Sequence, residues 1–183
     1  FLNRAKPEAH RDKVLMIDAR NIYRKVTRKI FDFSPEQEQN LLATVWLYRG
    51  ETGRYLDLVA GYCQRMLAEG AACFTMKDDD GEEVEPLPDF IGALDTLRSA
   101  VEPFIKTLDV GAIHESPLQE LDEAIPLFKA DVEAFRQSVT EQQSAWGEQK
   151  TTNGELKKAV DRLAALAETS RDLVKQTDLL YKL

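Results

Sequence analysis

Four basic residues near the start of the chain, Arg20, Arg24, Arg28 and Lys29, have the clearest spacing for a chemical task. They step by four, four and one, so a helix through them would present one basic face. Such a face can contact phosphates, and nothing in its spacing argues for base readout. The plainer reading is a basic loop that pairs with the acidic remainder of the chain. Charge favours the first thirty residues as the contact if nucleic acid is touched at all. They hold nine basic and three acidic side chains, a net +6. The whole chain carries −8, which leaves −14 on residues 31–183, and a surface of that sign repels phosphate backbones.

Other residues with chemical capacity are sparse. His10 and His114 lie far apart in sequence, and each reads as a surface histidine. Cys63 and Cys73, if carried on one helix, stand roughly 15 Å apart along it, too far to bridge. No Cys-x-x-Cys pair accompanies them, so they read as inert core thiols of a reduced, cytoplasmic protein. The acidic stretch DDDGEEVEPLP, residues 78–88, invites comparison with a calcium loop. That loop needs acidic ligands at its first, third and fifth positions before the glycine. Counting back from Gly81 gives Asp80, Asp78 and Met76, so the pattern fails and a solvated acidic loop is expected. No Gly-x-Gly and no Walker motif occurs. Catalytic, cofactor-binding and metal-binding residues are therefore assigned to none. No apolar run approaches the ~20 residues of a membrane span, and no signal peptide is visible.

The elements that must position these residues follow from periodicity. Apolar content is 43%, enough for a core. The chain opens on Phe1 rather than Met, which reads as a piece of a longer protein. Val14 to Ala19 is a continuous apolar run and reads as a buried strand. Residues 20–33 are ambiguous, since Ile22, Val26 and Ile30 would form a helical stripe. Ser34-Pro35-Glu36-Gln37 is a helix start with a capping residue, a first-turn proline and a glutamine three residues on. Helices are expected from there to about Tyr48, from about Arg54 to about Met76, and from about Pro88 to Leu108, with Pro103 kinking or shortening the last. Ser116-Pro117-Leu118-Gln119 is a second such start. Beyond it Leu118, Leu121, Ile125, Phe128, Val132, Phe135, Val139, Gln142 and Trp146 alternate by three and four, a heptad seam. Pro126 beside it should bend the helix. Thr152-Asn153-Gly154-Glu155 starts a last helix with a weaker seam through Leu156, Val160, Leu163, Ala167, Ser170, Val174, Thr177 and Tyr181. Leu166, Leu173 and Leu180 fall off that seam and step by seven. They form a second stripe, expected either to face a partner or to pack on the earlier helices.

The opening stretch carries a resemblance. Leu2-Asn3-Arg4-Ala5-Lys6-Pro7, Lys13 to Arg20, Asn21-Ile22-Tyr23-Arg24, Ser34-Pro35-Glu36-Gln37 and Trp46 to Glu51 resemble the modification (methyltransferase) subunit of type I restriction-modification systems, beyond its catalytic motifs. The likeness covers about fifty residues, less than a third of the chain, and departs at Met16, where the family has Phe. It implies that Val14–Ala19 is the last strand of a catalytic sheet. It also implies a parent that is an adenine-N6 DNA methyltransferase using S-adenosylmethionine. The family's glycine motif and Asn-Pro-Pro-Tyr/Phe loop lie upstream of this region and are absent here, so the chain itself is expected to hold no cofactor and no activity. The partners implied are the specificity subunit directly, and the restriction subunit and DNA through the full complex.

These readings give a mainly α fold: a helical bundle with a long antiparallel, coiled-coil-like helical hairpin and a short N-terminal strand remnant. Residues 1–33 form the sheet remnant and basic connector, 34–112 a helical region, and 113–183 the hairpin. The function expected is assembly with the specificity subunit, with DNA contact through Arg20, Arg24, Arg28 and Lys29. The alternative is a free-standing coiled-coil or helical scaffold that mediates protein–protein interaction.

Overall fold

The structure, a computed structural model, describes residues 6–105, 117–147 and 152–182. It is mainly α. Five helices are described: α1 (Pro35–Arg49), α2 (Thr52–Ala72), α3 (Pro86–Ile105), α4 (Pro117–Gly147) and α5 (Asn153–Lys182). Two hairpins of minimal length accompany them. Strand β1 (Arg24–Lys25) pairs antiparallel with β2 (Phe31–Asp32), and β3 (Met76–Lys77) with β4 (Glu83–Val84). The chain divides into two compact units, residues 1–59 and 60–183, a different division from the segments 1–33, 34–112 and 113–183.

Local chemistry sets the helix ends. Ser34 Oγ accepts from the Gln37 N–H at 3.2 Å, and Gln37 Oε1 accepts from the Ser34 N–H at 2.9 Å. This reciprocal box satisfies two donors that the first turn would leave orphaned. At the other end of α1, Gly50 turns the chain with φ +78°, a conformation that strains a residue carrying a Cβ. Its N–H donates to the Leu47 carbonyl at 3.1 Å. Thr152 and Glu155 make the equivalent box at the start of α5. Ser116 and the connection at 148–151 lie outside the described residues, as does His114. Both α3 and α4 continue through their prolines, Pro103 and Pro126.

The core lies in residues 60–183. Leu121, Ile125, Phe128, Val132, Phe135 and Val139 of α4 are all buried, Ile125 completely, so the heptad seam of α4 is the centre of the bundle. Each such side chain contributes about 1.5–3 kcal/mol by leaving water. Helix α5 runs antiparallel to α4. Asp131 meets Gln176 at 2.7 Å, while Val139 and Leu166 lie together beside Gly70 of α2. A Cβ on Gly70 would stand 3.2 Å from a Val139 methyl, so glycine lets α2 approach this closely. Phe90 of α3 meets Phe128 edge-on, and Phe74, just after α2, packs against Phe135.

The seam of α5 differs from the sequence expectation. Leu156, Ala159, Leu163, Leu166, Leu173 and Leu180 are buried, whereas Val160, Val174 and Tyr181 are exposed. The stripe expected to be secondary is the core-facing one. From Leu156 two ladders fit a three-four step, and the larger side chains at 166, 173 and 180 bury more apolar surface than Ala167, Val174 or the amphipathic Tyr181. Leu166, Leu173 and Leu180 therefore pack on the other helices and are not free for a partner.

Two expectations for the first thirty-three residues also change. Val14–Ala19 is not a strand: no described residue pairs with it, and Val14 and Met16 are 79% and 87% exposed. A strand exists only by virtue of its ladder, so an apolar run without a neighbour is an open segment. Residues 20–33 form the β1–β2 hairpin rather than a helix. The acidic stretch is likewise a hairpin. Its turn is held by the Asp78 carboxylate, which accepts from the N–H groups of Asp80 and Glu82 at 3.0 and 2.9 Å, with Gly81 at φ +85°.

Candidate functional site

The basic residues singled out by spacing do not share a face. Arg20 grips Asp18 through two hydrogen bonds, 2.9 and 2.7 Å, which close the loop on itself. Arg24 grips Asp32, its cross-strand partner, at 2.7 and 3.1 Å. Both carboxyls are held below the usual carboxylate range, Asp18 by its bond to Arg20 and Asp32 by its bond to Arg24. The two guanidiniums are thus engaged within the chain. Arg28 and Lys29 stand at the hairpin tip, exposed, where Thr27 Oγ1 accepts from the N–H groups of Lys29 and Ile30 at 3.2 and 3.1 Å and shapes the turn.

The hairpin brings together residues that helical spacing misses. Lys25 lies directly across from Phe31, so the two share a face. Tyr23, two positions before Lys25, meets Phe31 edge-on with ring centres 5.2 Å apart. Phe33 follows on the same alternation, and all three rings are about half exposed. Tyr23, Phe31 and Phe33 line an open concavity of about 450 Å³ with Ala19, Arg20 and Asp32. The signal for it was the alternation Tyr-x-Lys and Phe-x-Phe on either side of a short turn.

The histidine and thiols are structural. His10 stacks on Tyr48 at 4.3 Å, and the Tyr48 hydroxyl donates to the Lys13 carbonyl at 3.2 Å, which ties the polar start of the chain to α1. Burial pushes the Cys63 and Cys73 thiols up, which disfavours the reactive thiolate. Among the described residues no cluster of His, Cys, Asp and Glu could hold a metal ion, and no helix is long and apolar enough to cross a membrane.

A second surface lies on the α4–α5 hairpin. Two ion pairs, Lys129–Asp95 and Arg98–Asp122, fasten α3 to one side of α4. They are part-exposed and screened by water, so they serve mainly to fix register. The other side is open: Leu127 and Leu179 are more than 60% exposed beside a groove of about 490 Å³. Glu120 and Asp131 stand at its rim, and Asp131 is bonded to the neutral Gln176.

Comparison of the chain with protein-family models, with curated proteins and with solved structures finds no match.

Proposed function

We propose that this chain is the part of a type I restriction-modification adenine-N6 DNA methyltransferase subunit that follows its catalytic motifs, and that it serves assembly with the specificity subunit. The reading rests on the residues that resemble that family, Lys13 to Arg20, Ser34 to Gln37 and Trp46 to Glu51. One observation carries it furthest. Val14, Met16 and Ile17, at the centre of the resemblance, project apolar side chains into solvent. An apolar extended run is suited to a neighbouring sheet, here the catalytic sheet of the parent enzyme. In this reading the parent binds S-adenosylmethionine and works in the cytoplasm. The restriction subunit and DNA are met through the full complex, and DNA contact by this chain falls to the region of Arg20, Arg24, Arg28 and Lys29.

With Leu166, Leu173 and Leu180 buried, the open face of Leu127 and Leu179, which borders a groove, is the surface this reading assigns to the specificity subunit. Its apolar floor and acidic rim suit a helix with an apolar ridge and basic flanks. The test is co-purification of the chain with a type I specificity subunit from the same genome. Leu127→Asp with Leu179→Asp should abolish the complex and leave helix content unchanged. A complex indifferent to both substitutions would remove the groove from the account, and no complex with the unaltered chain would remove the assembly role.

A free-standing helical scaffold is the second reading. It is favoured by the buried core within residues 60–183, which α4 and α5 supply largely between themselves.

A further inference from the structure

We propose that the β1–β2 hairpin binds single-stranded nucleic acid, with Tyr23 and Phe31 as a base-stacking platform and Lys25, Arg28 and Lys29 as its phosphate contacts. The proposal stands on the geometry of residues 19–33 and is independent of the assembly role. Three observations converge. The rings of Tyr23 and Phe31 are about half exposed and meet edge-to-face, so each presents surface to solvent. An aromatic face of this kind accepts any base, because every base has a π-face. Lys25, Arg28 and Lys29 are exposed and make no ion pair with a described residue. The two arginines nearby are different: Arg20 and Arg24 are neutralised by Asp18 and Asp32. The free positive charge of the hairpin thereby falls on Lys25, across from Phe31, and on Arg28 and Lys29 at the tip.

The shape selects the ligand. Base-specific reading of a duplex needs an element that fills a groove, and a ribbon with two paired residues per strand is short for that. A splayed strand needs only rings beside cations, and the 450 Å³ concavity walled by Tyr23, Phe31 and Phe33 offers a place for an unstacked base. DNA and RNA strands share this chemistry. Three phosphate contacts set the salt dependence: the logarithm of the association constant should fall with the logarithm of salt at a slope of about −2. Binding is therefore modest and lost at high salt, as the −14 carried by residues 31–183 also requires.

Fluorescence anisotropy of the full chain with labelled oligothymidylate and oligouridylate of about twelve nucleotides at low salt tests this. Binding of either strand is expected, and a preference between them identifies the source. Lys25→Gln with Arg28→Gln and Lys29→Gln should weaken it more than tenfold. Tyr23→Leu with Phe31→Leu should weaken it about fivefold or more, while the ring-retaining pair Tyr23→Phe with Phe31→Tyr should keep it. An abasic strand of the same length should bind the unaltered chain and the leucine variant equally. The proposal is overturned by an absence of binding at low salt. It is equally overturned by a leucine variant that binds both strands as the unaltered chain does, by a ring-retaining variant as weak as the leucine one, or by tighter binding of duplex than of single strand.

Discussion

The described residues of the two compact units handle apolar side chains in opposite ways. In residues 60–183 the seam of α4, Leu121, Ile125, Phe128, Val132, Phe135 and Val139, is almost entirely covered, while Leu127 beside it lies in solvent. In residues 6–59, Ala43 is the one buried residue, and Val14, Met16, Tyr23, Val26, Ile30, Phe31 and Phe33 lie substantially in solvent. Apolar content alone does not separate them. A helix satisfies its own backbone and needs only another stripe to cover it, which α3, α4 and α5 give one another. An extended run must borrow both backbone partners and cover from elsewhere. The first unit is shaped to be completed by another surface, whereas the second covers its own seam and leaves Leu127 and Leu179 on an open face.

The contrast can be broken most forcefully at the centre of the seam. Phe135→Asp should cost on the order of 3–5 kcal/mol, from a lost aromatic contact with Phe74 and a buried charge. Met16→Asp, at an exposed position, should change stability by no more than about 0.5 kcal/mol. Urea unfolding followed by circular dichroism compares the two, and similar costs would erase the distinction.

The phase of α5 gives the next largest effect. Leu166→Ala and Leu173→Ala should each cost about 2–5 kcal/mol, whereas Val174→Ala and Tyr181→Ala should be close to neutral. A larger loss at Val174 than at Leu173 would mean that the other ladder faces the core. A smaller effect is expected at Gly70, where α2 meets Val139. Gly70→Val should cost about 1–3 kcal/mol by overpacking, although valine is the better helix former. A stabilised variant would show that the close approach of α2 is not needed.

The sequence carried the helices of both units and little of residues 6–33. The capping boxes at Ser34 and Thr152 and the α4 seam were legible because each is decided within a few residues by spacing alone. The α5 phase was not, because Leu156, Val160, Leu163 and Ala167 step by four, three and four while Leu156, Ala159, Leu163 and Leu166 step by three, four and three, and both fit a heptad. Only contact with the neighbouring helices decides between them. Val14–Ala19 has the composition of a buried strand, but composition cannot supply the strand beside it. The basic residues at 20, 24, 28 and 29 fitted a helical spacing, and cross-strand pairing of Arg24 with Asp32 gives a hairpin instead. The rings of Tyr23 and Phe31 came together for the same reason, which no helical count could show.

The smallest expected effect is the pH response of that hairpin. Asp18 and Asp32 titrate below their ordinary value because of Arg20 and Arg24. Their contribution to local order is present above the ordinary carboxylate range and is lost as pH falls through the lowered folded values. Amide signals of residues 18–32 should therefore lose dispersion on acidification before those of α4 do. Simultaneous loss in both regions would mean that the pairs do not act locally.

Hydrogen exchange of the whole chain, resolved by residue, tests the division between the two units most directly. Amides of Ile125 to Val139 and Leu163 to Leu173 should exchange slowest, at rates set by global unfolding, while those of Val14 to Ile17 should exchange within seconds. Protection of Leu15 and Ile17 equal to that of Phe135 would contradict the account, because the apolar run would then already have its partner within this chain.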